Sequence, residues 1–275
     1  MNNQKVMNTK KDYVRLLTLL FEVVEANRGP LNDVDDILLY AEGLAQKFFF
    51  HATSILYLSE ETNMPNFPST PLKFIDSPSV DVLARAAFET FLVFHYIYIA
   101  PKTHEEKEFR YLAWTAELVK RQYLPVSTQE HQQKLAKERK DLDDLHKRLR
   151  SNASFQKLTT KQQKDVLEGR WRLLSWQKIA EDAGLAKVLA ANMYGHLSGY
   201  AHSGFISVLQ IKQAFQKREQ ALLVESSMQV VLIAAANFIR GYCDLFPKAK
   251  QALNRNTNGI LLVDELVTIG QNLDH

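Results

Sequence analysis

Apolar side chains recur at three- and four-residue intervals along most of this chain, which is the period of an amphipathic α-helix. A clear example begins near Asn32, where three aspartates fall in the first turn, the positive end of a helix dipole. Strictly alternating apolar and polar runs, which indicate strands, do not recur. In the helix that begins near Asn32, the apolar stripe consists of Ile37, Ala41, Leu44, Phe48, Ala52 and Ile55.

Capping residues, glycines and prolines divide this pattern into a series of helices. Two capping boxes, Thr103-x-x-Glu106 and Ser127-x-x-Glu130, open the fourth and fifth helices. Four prolines between Thr62 and Pro78 predict a long loop. The other predicted helices are Lys11–Asn27, one from Pro78, Thr159–Glu168, one from Ser175, Leu185–Ala201, Phe205–Gln220, Ala221–Phe246 and Ile260–Leu273.

The run from Val80 to Ala100 has nearly the length of a membrane span. It contains Asp81, Arg85 and Glu89, and such charges are costly at the centre of a bilayer. We therefore expect a buried core helix and no membrane partner.

The same charges form the first candidate site. On a helix, each four-residue step turns about 40° beyond a full turn, so Asp81, Arg85, Glu89 and Tyr96 share one side. One interpretation is a buried ion-pair network that ties helices together. The functional interpretation is an arginine that carboxylates hold toward an anionic ligand such as phosphate.

A second polar stripe lies in the sequence YGHLSGYAHSG, where Tyr194, Ser198 and His202 share one side of a predicted helix. Gly195 and Gly199 lie toward another side and would let a neighbouring helix approach closely. A histidine on such a face is often a core residue with a hydrogen-bond partner. The alternative is that His202 is a catalytic acid or base, because imidazole ordinarily titrates near neutral pH.

Composition fits a soluble helical protein. The chain has 275 residues, of which 46% are hydrophobic and 24% charged, with 10 glycines and 8 prolines. We predict an all-α fold: a single helical bundle domain over 1–275, with a protruding charged helical insertion at 125–172. The helix from Ser127 to about Arg150 has only a thin leucine stripe, which suits a protruding helix.

Net charge and cysteine content exclude few classes of function. The net charge of +3 is too small to indicate a nucleic-acid binder by itself. However, residues 129–172 carry 12 Lys and Arg against 7 Asp and Glu. Cys243 is the only cysteine, so no intrachain disulfide can form and a cytoplasmic location is expected. The sequence contains no phosphate-binding glycine loop and no zinc-ligand spacing, so we expect no cofactor and no metal site.

The order of these motifs resembles an uncharacterised prokaryotic all-helical family, a domain of unknown function. The resemblance rests on R-A-A-F-E-T-F in one apolar helix, on Trp171 and Trp176, and on Y-x-x-x-S-x-x-x-H before a long helix. It covers about Pro78 to Phe246. It implies an all-helical fold and, as site positions, Arg85, Glu89, Tyr194, Ser198 and His202. It implies no particular reaction.

A more distant similarity is to HEPN-type helical ribonucleases and nucleotide-binding domains. Their signature is an arginine followed, after four to six residues, by a histidine. His202 has no arginine at that spacing; Arg139 and His146 have it, but in a helix dense in basic residues, where chance accounts for the match.

Two functions are therefore expected to compete. The first is a metal-independent ribonuclease or other phosphodiester or nucleotide hydrolase of a defence or toxin type, with RNA or a nucleotide as partner. Its predicted catalytic residues are Arg85, Glu89, Tyr194, Ser198 and His202, and its predicted ligand-binding residues are His95, Tyr96 and His196. The second is a non-catalytic ligand-sensing or protein-interaction module, in which these residues form a core network. The apolar helices Ala221–Phe246 and Ile260–Leu273 could bury either an intrachain core or a homodimer interface.

Overall fold

The computed structural model describes residues 9–28, 36–64, 72–123, 125 and 127–272. The described chain is all-α, as the helical periodicity predicts. Its α-helices are α1 (Thr9–Ala26), α2 (Ala41–Leu58), α3 (Ser77–Phe94), α4 (His104–Thr115), α5 (Gln129–Ser151), α6 (Ala153–Gln156), α7 (Thr160–Leu167), α8 (Trp176–Asp182), α9 (Lys187–Ala201), α10 (Phe205–Lys217), α11 (Gln220–Leu245), α12 (Pro247–Asn254) and α13 (Thr257–Asn272). Asp36–Tyr40 and Ala116–Tyr123 are 3-10 helices, and His95–Ile99 is a π-helical turn.

The chain divides into two compact units. The first comprises Met1–Val34, Leu39–His95 and Trp176–His275, and the second comprises Asp35–Leu38 and Tyr96–Ser175. The charged segment 125–172 belongs to the second unit. The prediction of one domain with an insertion over those residues stays a prediction.

The core of the first unit forms where α2, α3 and α11 pack together, with α1 against α11. Phe94 and Phe238 stack with their ring centroids 4.2 Å apart, and Phe48 contacts Phe238 at 5.1 Å. The apolar stripe predicted from Ile37 to Ile55 is buried throughout, which confirms its helical period. Helix α9, which carries the second polar stripe, packs on α3.

The stretch from Thr62 to Pro78 was predicted to be a loop, and this is wrong at its ends. Strands β1 (Thr62–Met64) and β2 (Leu72–Phe74) pair antiparallel, with Thr62 opposite Phe74. Strands of three residues are too short to show an alternating pattern. The prolines at 65, 68 and 71 lie outside the described residues.

The second unit contains α4 to α7. Helix α5 buries only Leu142 and Leu149, which confirms the thin apolar stripe. The capping hydroxyl of α5 belongs to Thr128 rather than to the predicted Ser127, and Thr128 accepts a hydrogen bond from the backbone N–H of His131. In α4, Thr103 caps as predicted, while the Glu106 carboxylate accepts from the N–H of Lys102.

The C-terminal helices differ in their boundaries from the prediction. Pro247 ends α11 as expected but also occupies the first turn of α12, a position where its missing N–H costs nothing. The polar stretch from Asn254 to Gly259, predicted as a loop, is largely helical, since α13 already begins at Thr257.

Two helical stretches, Ser77–Ile99 and Gln220–Leu245, have the length and apolar composition needed to cross a membrane. More than half of each stretch is buried within the protein, and core helices of soluble proteins satisfy the same two criteria.

Candidate functional site

Helix α3 positions the first polar stripe. Asp76 caps the helix by accepting a hydrogen bond from the Ser79 N–H, and Pro78 occupies the first turn. About two turns along, Arg85 Nε donates to Glu89 Oε1 at 2.9 Å, with 16% and 28% of the two side chains exposed. The predicted pairing of Arg85 with Glu89 is therefore present, and it fixes one edge of the guanidinium.

The second polar stripe meets the first at this guanidinium. Arg85 Nη1 lies 3.1 Å from Nε2 of His202, although the two residues are 117 positions apart in sequence. His202 follows the last residue of α9 and is exposed to solvent. Glu89, Arg85 and His202 thus contact one another in series, and the last of them, the imidazole, is exposed to solvent.

The contact between Arg85 and His202 can be a hydrogen bond in only one protonation state of the imidazole. A guanidinium has only donors, so Nε2 must accept, and the ring must be neutral with its proton on Nδ1. A phosphate that bound Arg85 would compete with Nε2 for the same N–H groups. The Nε2 lone pair would then be available to take a proton.

The turn after α9 fixes where His202 lies. The N–H of Gly204 donates to Gly199 O at 2.8 Å and that of Ser203 to Tyr200 O at 3.3 Å, the paired bonds of a Schellman motif. Ser203 occupies the left-handed region with φ 52°, where glycine is usual. Buried Ser207 on α10 donates to Gly199 O at 3.1 Å. The corner between α9 and α10 is therefore held by hydrogen bonds from the turn itself and from α10.

Asp81 was expected to stand in line with Arg85, but its hydrogen bond runs to another helix. Ser227 Oγ on α11 donates to Asp81 Oδ1. The aspartate is fully buried, and within the described chain its Oδ2 has no hydrogen-bond partner. Burial raises the pKa of Asp81 to about 6, an effect that the Ser227 hydrogen bond partly offsets. Asp81 therefore belongs to the core between α3 and α11.

Not all of the other predicted site residues lie beside Arg85 and His202. Ser198 is half-buried on α9, and its carbonyl accepts from the N–H of His202. His196 packs edge-on against Tyr200 at 4.9 Å, and burial lowers the pKa of His196. His95 contacts Phe91 at the end of α3. The side chain of Tyr194 lies outside the described residues.

Tyr96 belongs to the second unit, where it is buried beneath a cation. The Arg110 guanidinium lies 4.3 Å from the centroid of the Tyr96 ring, and Arg110 Nη1 donates to Tyr96 O at 2.8 Å. Trp171 contacts the same ring. These contacts give Tyr96 a structural role in that unit.

The close helix approach predicted at Gly195 and Gly199 is wrong. Among the described residues, a Cβ added at either position would meet nothing within 4 Å outside its own helix. The tighter glycine of this corner is Gly204, where an added Cβ would lie 3.3 Å from Gly199 O.

Two polar partners of this region were not predicted from the sequence. Tyr200 donates to Gln210 Oε1 at 3.0 Å, and burial together with the charge of Asp81 raises the pKa of Tyr200 to about 12. Ser227 binds Asp81. Ser227 and Gln210 are two of several polar residues in their stretches of sequence, so no spacing rule could have selected them.

The fold and this geometry define an all-α protein with an Arg–Glu pair on one core helix and a histidine at the end of another. The chain belongs to a family of unknown function, DUF5677, whose profile matches residues 42–216. The predicted family resemblance is thus confirmed, although the match begins before Pro78 and ends before α11. Arg85, Glu89, Tyr194, Ser198 and His202 all lie inside it. No curated protein and no solved structure gives a significant match to the chain.

Proposed function

We propose that this protein is a metal-independent RNA- or nucleotide-directed hydrolase of HEPN-like type, with its site at Arg85, Glu89 and His202. The observation that carries the proposal is the 3.1 Å contact between Arg85 Nη1 and His202 Nε2 at a solvent-exposed histidine. A cation that stabilises the phosphate charge and a base that accepts a proton are two groups that phosphodiester cleavage uses.

Each residue has a distinct role in the proposed reaction. Arg85 binds the phosphate through its guanidinium, and Glu89 positions Arg85 through Nε. His202 Nε2, released when phosphate takes over the Arg85 N–H groups, removes the proton from the attacking hydroxyl. In RNA the 2′-oxygen then bonds to phosphorus as the bond to the 5′-oxygen breaks, which leaves a 2′,3′-cyclic phosphate. A solvent water gives a proton to the leaving 5′-oxygen, and His202 returns its own proton to the solvent. Ser198 and Tyr194 are the proposed donors to the developing anion.

Charge elsewhere in the chain supports an anionic polymer as substrate. The excess of basic residues in 129–172 lies in the second unit, and exposed lysines line α5. Such charges attract the phosphate backbone without reading its sequence.

Cleavage of labelled single-stranded RNA in the presence of EDTA tests the proposal. The wild type should cleave, and His202→Ala should lower the rate at least 100-fold, because general acid–base catalysis contributes about 10²–10⁴. The matched control is His104→Ala, which removes an exposed histidine of α4 and should leave the rate unchanged. Equal rates for wild type and His202→Ala, or a wild type inactive on RNA and nucleotides alike, would contradict it.

The competing proposal is a non-catalytic ligand-sensing or interaction module. The observation in its favour is that Arg85 is mostly buried and already paired with Glu89, as structural arginines are. The thermal stability of His202→Ala separates the two. An exposed catalytic histidine should change the unfolding free energy by no more than about 0.5 kcal/mol, whereas loss of a network member should cost several times more.

A further inference from the structure

Helix α10 has its large apolar side chains on the outside. Its buried residues are the small Ser207 and Ala214, and the helix packs on α9 and α11. On the opposite side, Phe205 is 78% exposed, Val208 54% and Phe215 60%. A surface helix normally turns its large apolar side chains toward the core and its polar side chains toward solvent. The exposed apolar face of α10 therefore indicates that another surface covers it.

The spacing of the exposed face indicates which partner fits. Phe205, Val208, Lys212 and Phe215 follow one another at intervals of three, four and three residues, the seam pattern of paired helices. That pattern reads the same in both directions about residue 210. A second α10 running antiparallel would therefore place Phe205 of each copy against Phe215 of the other. The stem of Lys212 would lie beside Val208.

The size of the face agrees with a dimer. At about 200 Å² for a phenylalanine side chain, the apolar side chains on this side of α10 present on the order of 400 Å². These side chains are Phe205, Val208, Leu209 and Phe215, whereas Ile206 lies on the other side of the helix. With Lys212 and Gln216 on the same face, the surface approaches the roughly 600 Å² per partner of the smallest specific interfaces.

We propose that the exposed face of α10 is a twofold-symmetric homodimer interface, in which two copies of this chain pair their α10 helices antiparallel. One patch suffices for such a contact, because a twofold axis sets the same surface against itself. The α9–α10 corner, which carries exposed His202 immediately before α10, then borders the second copy. The dimer itself does not depend on the proposed hydrolase function.

Sedimentation velocity of the full chain at micromolar concentrations tests the dimer. The wild type should sediment as a dimer, and Phe205→Glu and Phe215→Glu as monomers with unchanged circular dichroism. The control is Phe50→Glu, which places the same charge at a similarly exposed phenylalanine of α2 and should remain dimeric. A monomeric wild type, or a dimer that survives both α10 substitutions, would overturn the proposal.

Disulfide crosslinking tests the antiparallel register. The double variant Phe205→Cys/Phe215→Cys should form a covalent dimer on oxidation, because each new thiol meets the other in the second copy. Either single variant should not crosslink, because identical positions lie about 15 Å apart along the antiparallel seam. Cys243 is buried and stays out of the reaction. Crosslinking of the single variants, or none of the double variant, would overturn the antiparallel pairing.

Discussion

At the scale of single residues, burial separates the acidic groups of α3 into two kinds. Glu89 keeps contact with solvent and positions Arg85, whereas Asp81, two turns earlier, is sealed between α3 and α11. A buried carboxylate with one hydrogen-bond donor retains most of its desolvation cost. Asp81 therefore lowers the stability of the folded protein whenever it is ionised.

This cost has a defined pH window. The pKa of Asp81 in the folded protein, about 6, lies above its ordinary value of 3.8, so the folded state holds the proton more tightly than the unfolded state. The unfolding free energy should fall as pH rises from 4 to 6, by roughly 2 kcal/mol from this group. Asp81→Asn should remove that loss, so chemical denaturation should show it nearly as stable as wild type at pH 4 and more stable at pH 7.

The exposed Asp264, which binds Arg240, provides the control for this measurement. Asp264→Asn should leave the pH dependence between 4 and 6 unchanged, since exposed ion pairs contribute little. An Asp81→Asn protein that is less stable than wild type at pH 7 would contradict the assignment of Asp81 as a strained core carboxyl.

At the scale of secondary-structure elements, the corner between α9 and α10 decides where His202 lies. Ser203 adopts a left-handed conformation that costs an L-residue about 1 kcal/mol and costs glycine almost nothing. Ser203→Gly should therefore raise the unfolding free energy by about 0.5–1 kcal/mol and leave the cleavage rate intact. Thermal and chemical denaturation measure the change.

Ser151→Gly serves as the opposite control, because Ser151 ends α5 in a regular helical conformation. Glycine should destabilise there, by up to about 1 kcal/mol. A Ser203→Gly protein that also loses stability would show that the corner is not strained at Ser203.

Elements were predicted well wherever local rules act and poorly where distant contacts decide. The stripe from Ile37 to Ile55 and the cap at Thr103 follow from side-chain period and local hydrogen bonding, so the sequence alone was enough. The pairing of Arg85 with Glu89 is equally local. The meeting of Arg85 with His202 and of Asp81 with Ser227 depends on how α3, α9 and α11 pack. No pattern within one helix contains that information.

At the scale of the whole molecule, the second unit carries the excess of basic residues on which the proposed RNA binding depends. The second unit contains α5, whose Lys134, Lys137 and Lys140 are exposed. If these lysines bind single-stranded RNA as proposed, counterion release will weaken the binding as salt rises, with a slope near −0.7 per phosphate contact.

Replacing all three lysines by glutamine should flatten the plot of log affinity against log salt by up to about 2, as measured by RNA binding in a salt titration. The control is Lys248→Gln, an exposed lysine of α12 in the first unit, which should leave the slope unchanged. An unaltered slope in the triple variant would remove α5 from RNA binding.

The central claim is that phosphate and His202 Nε2 compete for Arg85, and ¹⁵N-resolved NMR of the His202 ring tests it most directly. At mildly alkaline pH and without ligand, the ring should carry its proton on Nδ1, with Nε2 as acceptor. Adding a nucleoside monophosphate should shift the Nε2 resonance in the wild type and leave it unmoved in Arg85→Gln. A proton on Nε2 in the free protein, or a shift that persists in Arg85→Gln, would contradict the account.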